Sequence, residues 1–207
     1  AKIDFNAVME RVQQVVETIA PNDSVERYTE LGVEVLQGEG TITSPWSVSV
    51  NGQSLTTRTI IIATGARPRI PAIDGIEQID YLTSDTIWKL RTLPQRLLVL
   101  GTGTIGCELA QVFSQLGSRV SLLGRNTLLP REDEALSALM GRQFEQEEGI
   151  ELLLHKESGS FVREGDEQIL RYRDRLNPSA AVAELAFDQV LVATGRIANT
   201  EGLGLER

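Results

Sequence analysis

The stretch LLVLGTGTIGCELA, residues 97–110, decides how this chain is expected to fold. Its glycines Gly101, Gly103 and Gly106 have GxGxxG spacing and directly follow an apolar run. In such a unit the first glycine permits a tight turn, the second lets the backbone approach a pyrophosphate, and the third lets the helix pack closely on the sheet. The helix N-terminus then offers N–H groups and a positive dipole end to phosphates. The stretch predicts a dinucleotide-binding fold, against the alternative of a chance glycine-rich turn.

The end of the next apolar run, residues 119–123, indicates which dinucleotide is bound. Gly124 and Arg125 stand where this fold usually places the acid that binds the ribose of NAD, and Arg131 follows in the same loop. Two guanidiniums can hold a 2′-phosphate through charge-assisted hydrogen bonds, which predicts NADPH. The alternative is that Arg125 is a solvated strand end and that Arg131 pairs with one of the acids at 132–134.

Hydrophobic periodicity outlines the rest of the chain. Helices are expected over residues 4–20, 105–116 and 133–147, with a short one capped by Ser84. Strands are expected over 33–36, 40–43, 47–50, 54–57, 59–63, 97–100, 119–123, 150–154 and 190–193. Asn51-Gly52 predicts a two-residue hairpin turn. Residues 158–187 alternate in the manner of a small antiparallel meander, and the run at 59–63 suggests a strand buried on both faces.

Composition sets limits on the class of protein. The chain has 207 residues, of which 41% are hydrophobic and 24% charged, as in soluble globular proteins. A net charge of −9 argues against nucleic-acid binding, which needs a clustered basic face. No apolar run reaches membrane-spanning length. The single cysteine excludes an internal disulfide, and a cytoplasmic location is expected.

The remaining reactive side chains suggest little chemistry of their own. Cys107 has no second cysteine or nearby histidine and is expected to be a small packing residue. His155 is expected to be exposed. Glu108 either reaches the ligand end of its helix or is simply an acid in a favourable first turn. The sequence contains no Ser/His/Asp set, metal cluster or P-loop, so any redox chemistry would belong to cofactors.

Six stretches together resemble the flavin-dependent pyridine nucleotide disulfide oxidoreductases. They are GEGTI (38–42), IIIATGARPRIPAIDG (60–75), TSDTIWKLRTLP (83–94), GTGTIGCELA (101–110), GSRVSLLGRNTLLPRED (117–133) and VLVATGRIANT (190–200). The stretch at 123–133 looks most like the mercuric reductases of that family. The element Ala-Thr-Gly occurs twice, and in this family each copy marks a crossing between domains.

The resemblance implies a role for each matching position. Residues expected to hold the nicotinamide dinucleotide are Gly101, Thr102, Gly103, Thr104, Ile105 and Gly106, with Thr104 where some members place a tyrosine that covers the flavin. Glu108 matches a glutamate that pairs with a lysine beside the flavin, and Arg125 and Arg131 match the 2′-phosphate clamp of NADPH-using members. Gly195 is expected near the bound NADPH and Ser158 on its adenine side. Positions expected to touch FAD are Gly40, Thr64 and Gly65.

The resemblance also implies an α/β organisation in three parts. Residues 1–94 are expected to be part of an FAD-binding domain, 95–196 a Rossmann-like NADPH-binding domain, and 197–207 the return to the FAD domain. Family motifs that this sequence lacks are the FAD GxGxxG, the CxxxxC redox pair, the later Gly-Asp motif and the dimerisation domain with its catalytic histidine. Ala198 replaces the proline usual in the second Ala-Thr-Gly element. The chain is therefore expected to be an internal segment of a homodimeric protein, inactive without its redox cysteines.

The expected function of the parent is to pass electrons from NADPH through FAD to a disulfide or another acceptor, as in mercuric reductase. One alternative is a dihydrolipoamide dehydrogenase-type or other disulfide reductase. A second alternative is an NADPH-binding regulatory module that does not turn over. These residues do not identify the electron acceptor, and the redox cysteines and the catalytic histidine are expected outside this chain.

Overall fold

The computed structural model describes residues 3–206, which form a mixed α/β fold. They divide into two compact units. Unit 1 comprises the chain up to Arg11 together with Pro68–Arg196. Unit 2 comprises Val12–Arg67 together with the chain from Ile197 onward. The predicted α/β class is confirmed.

The described residues contain α-helices, strands and short 3-10 turns. The helices are α1 (Phe5–Ile19), α2 (Val25–Glu30), α3 (Thr104–Leu116) and α4 (Glu134–Gln146). The strands are β1 (Gly40–Ser44), β2 (Ser47–Val50), β3 (Gln53–Thr56), β4 (Ala66–Pro68), β5 (Tyr81–Leu82), β6 (Arg96–Leu100), β7 (Arg119–Leu123), β8 (Glu151–Leu153), β9 (Lys156–Glu164), β10 (Glu167–Asp174), β11 (Ala183–Phe187), β12 (Gln189–Val192) and β13 (Arg196–Ala198). The 3-10 turns are Ala20–Asp23, Ile76–Gln78 and Ile87–Lys89.

A five-stranded parallel sheet forms the centre of unit 1, with the strand order β5-β12-β6-β7-β8. Strand β6 is buried on both faces. Its residues Leu97 and Val99 pack into one hydrophobic cluster, while Leu98 and Leu100 pack into the other. A parallel sheet covered on both sides needs such continuous apolar strands. The strands predicted at 97–100, 119–123, 150–154 and 190–193 are confirmed.

Different layers cover the two faces of this sheet. On one face the helices α3 and α4 contribute Phe113 and Phe144 to the core. On the other face the antiparallel strands β9, β10 and β11 contribute Phe161, Leu170 and Phe187. The rings of Phe161 and Phe187 meet edge to face, with centroids 5.7 Å apart. The predicted meander over 158–187 therefore exists and forms part of the core.

Unit 2 contains a second antiparallel sheet, in the order β1-β2-β3. The turn between β2 and β3 is Asn51-Gly52, with φ of +52° and +80° at the two positions. Two consecutive left-handed residues match the twist of the flanking strands, which is why this dipeptide is favoured in hairpins. The predicted hairpin is confirmed.

Three predictions about local structure are wrong. Residues 33–36 and 59–63 do not form strands, and within residues 3–206 neither segment belongs to a sheet. Ile61 in the second segment is 85% exposed, although its apolar run predicted burial on both faces. A strand needs backbone partners and covering side chains, which a local pattern does not supply. Near residue 84, only a 3-10 turn forms and it follows Thr86, so Ser84 is not its cap.

The boundary between the two units also differs from the expected one at residue 94. Pro68–Arg196 forms one unit because the segment before residue 94 packs into it. Strand β5 pairs with β12, and Ile76, Ile79 and Ile87 are buried in the two clusters of unit 1. These are nonlocal contacts, which the polar and irregular sequence of the connector does not predict.

We expect the two glycines within α3 and α4 to respond in opposite ways to Ala. A Cβ on Gly106 would collide with the carbonyl oxygen of Gly101, whereas a Cβ on Gly141 would make only an ordinary contact with Leu152, at 3.8 Å. Gly106→Ala should therefore lower the free energy of unfolding by about 1–3 kcal/mol. Gly141→Ala should raise it by about 0.5–1 kcal/mol through better helix propensity.

Urea denaturation followed by far-UV circular dichroism measures both changes. Equal effects of the two substitutions would contradict the close contact at Gly106.

Candidate dinucleotide-binding site

The turn between β6 and α3 is built by backbone contacts that require glycine. Gly101 has φ of +114°, and a Cβ there would collide with the carbonyl oxygen of Ala193. A Cβ on Gly106 would collide with the carbonyl oxygen of Gly101 itself. The first turn of α3 therefore lies directly against the end of β6, which in turn lies against the end of β12.

The N-terminus of α3 is open to a ligand. Gly103 is the N-cap residue, and no side chain makes a capping hydrogen bond there. The space that a Cβ on Gly103 would take contains no other atom within 4 Å. The first N–H groups of a helix lack partners within the helix, so they are available to an anion. These features fit the pyrophosphate of a dinucleotide, which needs close backbone approach and N–H donors.

Two cavities adjoin this turn, both within unit 1. The larger has a volume of about 680 Å³ and is lined by the turn and by segments 129–132 and 192–196. The smaller has a volume of about 440 Å³ and is lined by segments 71–73 and 123–126 and by Glu157 and Ser158. Both cavities are lined by Arg69, Gly101, Thr102 and Thr194. Each volume lies in the range typical of small-molecule sites.

Most residues predicted to bind the dinucleotide lie at these cavities. The larger cavity is lined by Gly101, Thr102, Gly103, Thr104, Ile105, Arg131 and Gly195. The smaller cavity adds Arg125 and Ser158. Gly106 is buried behind the turn, and Glu108 is exposed and lines neither cavity.

The two arginines expected to act together line different cavities. Arg125 lines the smaller cavity and Arg131 the larger. Arg125 forms an ion pair with Glu157, with 2.8 Å between Nη2 and Oε1, and the two side chains are 66% and 53% exposed. Within residues 3–206, Arg131 has no carboxylate within ion-pair distance, so the alternative of pairing with residues 132–134 is not found. The acid partner of Arg125 comes instead from β9, which the sequence did not single out.

The loop that carries both arginines is fastened at two places. Leu129, with φ of +45°, donates its N–H to the carbonyl oxygen of Thr102 at 2.8 Å. At the other end, the Arg175 guanidinium donates to the carbonyl oxygen of Arg125 and to Oδ1 of Asn126, the latter at 3.1 Å. The positions of the two guanidiniums thus depend on the glycine turn and on the end of β10.

Arg69 is a further cation at the site. It lines both cavities, and its backbone is held by the second Ala-Thr-Gly element. Thr194 donates its hydroxyl to the carbonyl oxygen of Arg69 at 2.9 Å, and the Arg69 N–H donates to the carbonyl oxygen of Gly195 at 2.9 Å. The sequence did not single out Arg69, although Ala-Thr-Gly occurs both in the segment before it and in the segment that contacts it.

The residues predicted to touch FAD lie in unit 2 and line neither cavity. Gly40 begins β1. Thr64 donates its hydroxyl to the carbonyl oxygen of Asn199 at 2.6 Å, and the Asn199 N–H donates to the carbonyl oxygen of Gly65 at 3.1 Å. The segments after the two Ala-Thr-Gly elements are therefore joined within this unit.

An ion pair strengthens the same junction. Arg67 donates from Nη2 to Oε1 of Glu201 at 2.7 Å and from Nη1 to Oε2 at 3.1 Å. Hydrogen bonding and charge from Arg67 lower the pKa of Glu201 to about 2. Both side chains are exposed, so we assign the pair a structural role in unit 2.

Cys107 is a packing residue, as expected. It is buried in the helix-side cluster, and its thiol donates to the carbonyl oxygen of Thr102 at 3.5 Å. Burial, with a smaller contribution from the charge of Glu108, raises the pKa of the Cys107 thiol to about 11.

His155 is half-buried with φ of +55°, not exposed as predicted. In the described part of the chain, no group of His, Cys, Asp or Glu is suited to a metal ion.

Parallel sheet, glycine turn and paired cavities define a Rossmann-like dinucleotide-binding protein. The chain belongs to the pyridine nucleotide-disulphide oxidoreductase family, whose model matches residues 4–207. This is a family of flavin-dependent enzymes, so the predicted resemblance is confirmed. None of the helices in residues 3–206 has the length and apolarity required to cross a membrane.

Individual relatives agree with the family assignment. A mercuric reductase of Lysinibacillus sphaericus is 35% identical over 206 residues, covering 99% of this chain and 37% of that protein. A mercuric reductase of Staphylococcus aureus is 34% identical over 204 residues, covering 98% of this chain and 36% of that protein. Among solved structures, the HOCl-induced flavoprotein disulfide reductase RclA from Escherichia coli has a TM-score of 0.80 at 26% identity, covering 98% of this chain and 45% of that one. The chain thus spans less than half the length of these relatives.

We expect Cys107 to resist alkylation while the protein is folded. With a pKa of about 11, roughly one thiol in a thousand is ionised at pH 8, and the thiolate is the reactive form. Iodoacetamide labelling of the Cys107 peptide, measured by mass spectrometry, should be at least about 100-fold slower in native protein than in urea. Equal rates in the two conditions would show that Cys107 is neither buried nor shifted in pKa.

Proposed function

We propose that this chain is the NADPH-binding part of an FAD-dependent oxidoreductase of the mercuric reductase type. The observation that carries the proposal is the open N-terminus of α3 at the junction of two cavities, with Arg125 at the margin of one and Arg131 at the margin of the other. When bound, NADPH and FAD supply the hydride and electron transfer, and the protein supplies binding, orientation and electrostatics.

The glycine turn is assigned to the pyrophosphate. The uncapped N–H groups of α3 can donate hydrogen bonds to two phosphates, and the open space at Gly103 lets these phosphates come close to the backbone. Arg69 lines both cavities beside the same turn, so its guanidinium adds positive charge where the two halves of a dinucleotide would meet. This charge acts equally on NADH and NADPH because both carry the pyrophosphate.

Preference for NADPH is assigned to the end of β7. Gly124 provides no carboxylate for a ribose hydroxyl, and Arg125 lies next to it at the smaller cavity, together with Ser158. A 2′-phosphate there would take over the guanidinium that Glu157 now holds. Arg131 approaches from the larger cavity, and the hydrogen bonds of Thr102 and Arg175 keep the loop between the two arginines in place.

Unit 2 is assigned to the FAD side of the parent protein. Gly40, Thr64 and Gly65 match family positions that touch FAD, and the junction of Thr64 and Gly65 with Asn199 keeps the two crossing segments together. The parent is proposed to be a cytoplasmic homodimer that receives its redox cysteines and catalytic histidine from outside this chain, and the chain alone is proposed to be inactive. A net charge of −9 supports a protein that does not bind nucleic acid.

We expect Arg125→Ala to weaken the binding of NADPH much more than the binding of NADH. Removing a charge-assisted contact to the 2′-phosphate should cost about 1.5–3 kcal/mol, which is roughly a 10- to 100-fold rise in Kd for NADPH. The Kd for NADH should change by less than about twofold, because NADH lacks that phosphate. Titration of both cofactors against the full-length protein, followed by nicotinamide fluorescence, measures the two values.

Arg142→Ala is the matched control, because Arg142 is an exposed arginine of α4 that lines neither cavity. If Arg125→Ala lowered the affinities for NADPH and NADH by the same factor, the proposed phosphate contact would be ruled out.

We also expect Glu157→Gln to strengthen NADPH binding. The substitution removes the carboxylate that pairs with Arg125 and that would repel the incoming phosphate. An exposed ion pair contributes about 0.2–1 kcal/mol, so the Kd for NADPH should fall by roughly 1.4- to fivefold and that for NADH should not change. Glu164→Gln on the same strand, which breaks the pair with Arg171 away from both cavities, is the control. Weaker NADPH binding in Glu157→Gln would mean that Glu157 instead orients Arg125 for the ligand.

A further inference from the structure

Gly124 has no conformational reason to be glycine. Its φ does not lie in the left-handed region, so the backbone conformation does not require glycine. It also closes β7 at the position where dinucleotide-binding folds place the acid that binds a ribose. The backbone at position 124 tolerates a side chain, and other dinucleotide-binding proteins have one there. The glycine therefore needs an explanation other than backbone conformation.

The explanation lies in the space beside it. A Cβ on Gly124 would collide with Cγ2 of Thr102, and it would stand 2.7 Å from Oγ1 and 3.1 Å from Cβ of the same residue. These three atoms are the nearest to that position and all belong to one side chain. Thr102 therefore occupies the volume that any side chain at position 124 would need.

Thr102 is not free to move aside. It is 6% exposed, and its hydroxyl donates to the carbonyl oxygen of Thr127 at 3.0 Å. Its own carbonyl oxygen accepts from the N–H of Leu129 at 2.8 Å and from the thiol of Cys107 at 3.5 Å. Because Thr is branched at Cβ, rotation about χ1 exchanges one heavy atom for another without emptying the space. The collision would have to be relieved by moving the glycine turn or the loop.

We infer that Thr102 is a specificity-determining residue: by filling the space beside position 124, it keeps a ribose-binding carboxylate out of the site. Selection for a 2′-phosphorylated dinucleotide then has two components. Arg125 attracts the phosphate, and Thr102 excludes the acid that would bind the free ribose hydroxyl and repel the phosphate. The inference about cofactor choice rests on the proposed function, whereas the steric exclusion does not.

The steric exclusion is tested without any cofactor, by a double-mutant cycle on the full-length protein. Gly124→Ala should lower Tm by roughly 5 °C, because the added Cβ has no room. In the background of Thr102→Gly, which deletes all three colliding atoms, adding Gly124→Ala should lower Tm by less than about 1 °C. Gly141→Ala is the control, because Gly141 lies in the helix α4 and has room for a methyl group. Additive effects of the two substitutions would overturn the inference.

The consequence for specificity is tested with NADH and NADPH as probes. Gly124→Asp alone should weaken the binding of both cofactors, because the displaced Thr102 would distort the turn proposed to bind the pyrophosphate. Thr102→Gly/Gly124→Asp should bind NADH roughly tenfold more tightly than Gly124→Asp does and should prefer NADH over NADPH. If Gly124→Asp alone keeps the wild-type Tm and already prefers NADH, Thr102 excludes nothing and the inference is wrong.

The two proposals fail in different ways. Equal affinity of the unmodified protein for NADH and NADPH would contradict the proposed function, and the Tm cycle would still decide whether Thr102 excludes a side chain at 124. A non-additive cycle with unchanged cofactor preference in the double variant would overturn the role of Thr102 in specificity while leaving the packing result in place.

Discussion

The close approach of three backbone segments at Gly101 is the constraint on which the site depends. The carbonyl oxygen of Ala193 stands where a side chain on Gly101 would be, and the carbonyl oxygen of Gly101 stands where one on Gly106 would be. The end of β12, the end of β6 and the first turn of α3 therefore pack without side chains between them. Only this spacing brings the uncapped helix N-terminus and the second Ala-Thr-Gly element to the same cleft.

Charge at this cleft opposes the charge of the chain. The net charge is −9, yet the charged residues that line the cavities are four arginines (Arg69, Arg125, Arg131 and Arg196) and two glutamates (Glu132 and Glu157), a local excess of positive charge. At physiological ionic strength charges separated by more than about 8 Å are largely screened, so the local arginines outweigh distant carboxylates. The charge that argues against nucleic-acid binding is thus compatible with binding a highly anionic dinucleotide, because the relevant field is that of the cleft.

How far the sequence predicts this structure depends on whether the signal is local. The unit β6–α3–β7 follows from apolar runs and glycine spacing, and Asn51-Gly52 follows from turn chemistry, so both were correct. The strand predicted at 59–63 was wrong because a strand exists only when another strand pairs with it, and none of the sheets in the described residues includes this segment. Arg69 and Glu157 are not predictable from the sequence for the same reason, since each is held at the site by contacts between segments far apart in sequence.

Gly124 shows how structure changes the interpretation of a motif. In the sequence, Gly124 marks an absent acid, and that absence together with two nearby arginines predicts NADPH. In the structure it is half of a packing pair with Thr102, the residue between the first two glycines of the motif. Thr102 also accepts the hydrogen bond that fixes Leu129, in the loop between Arg125 and Arg131. One buried threonine therefore links the glycine turn to the loop that carries Arg125 and Arg131, so neither can change independently of the other.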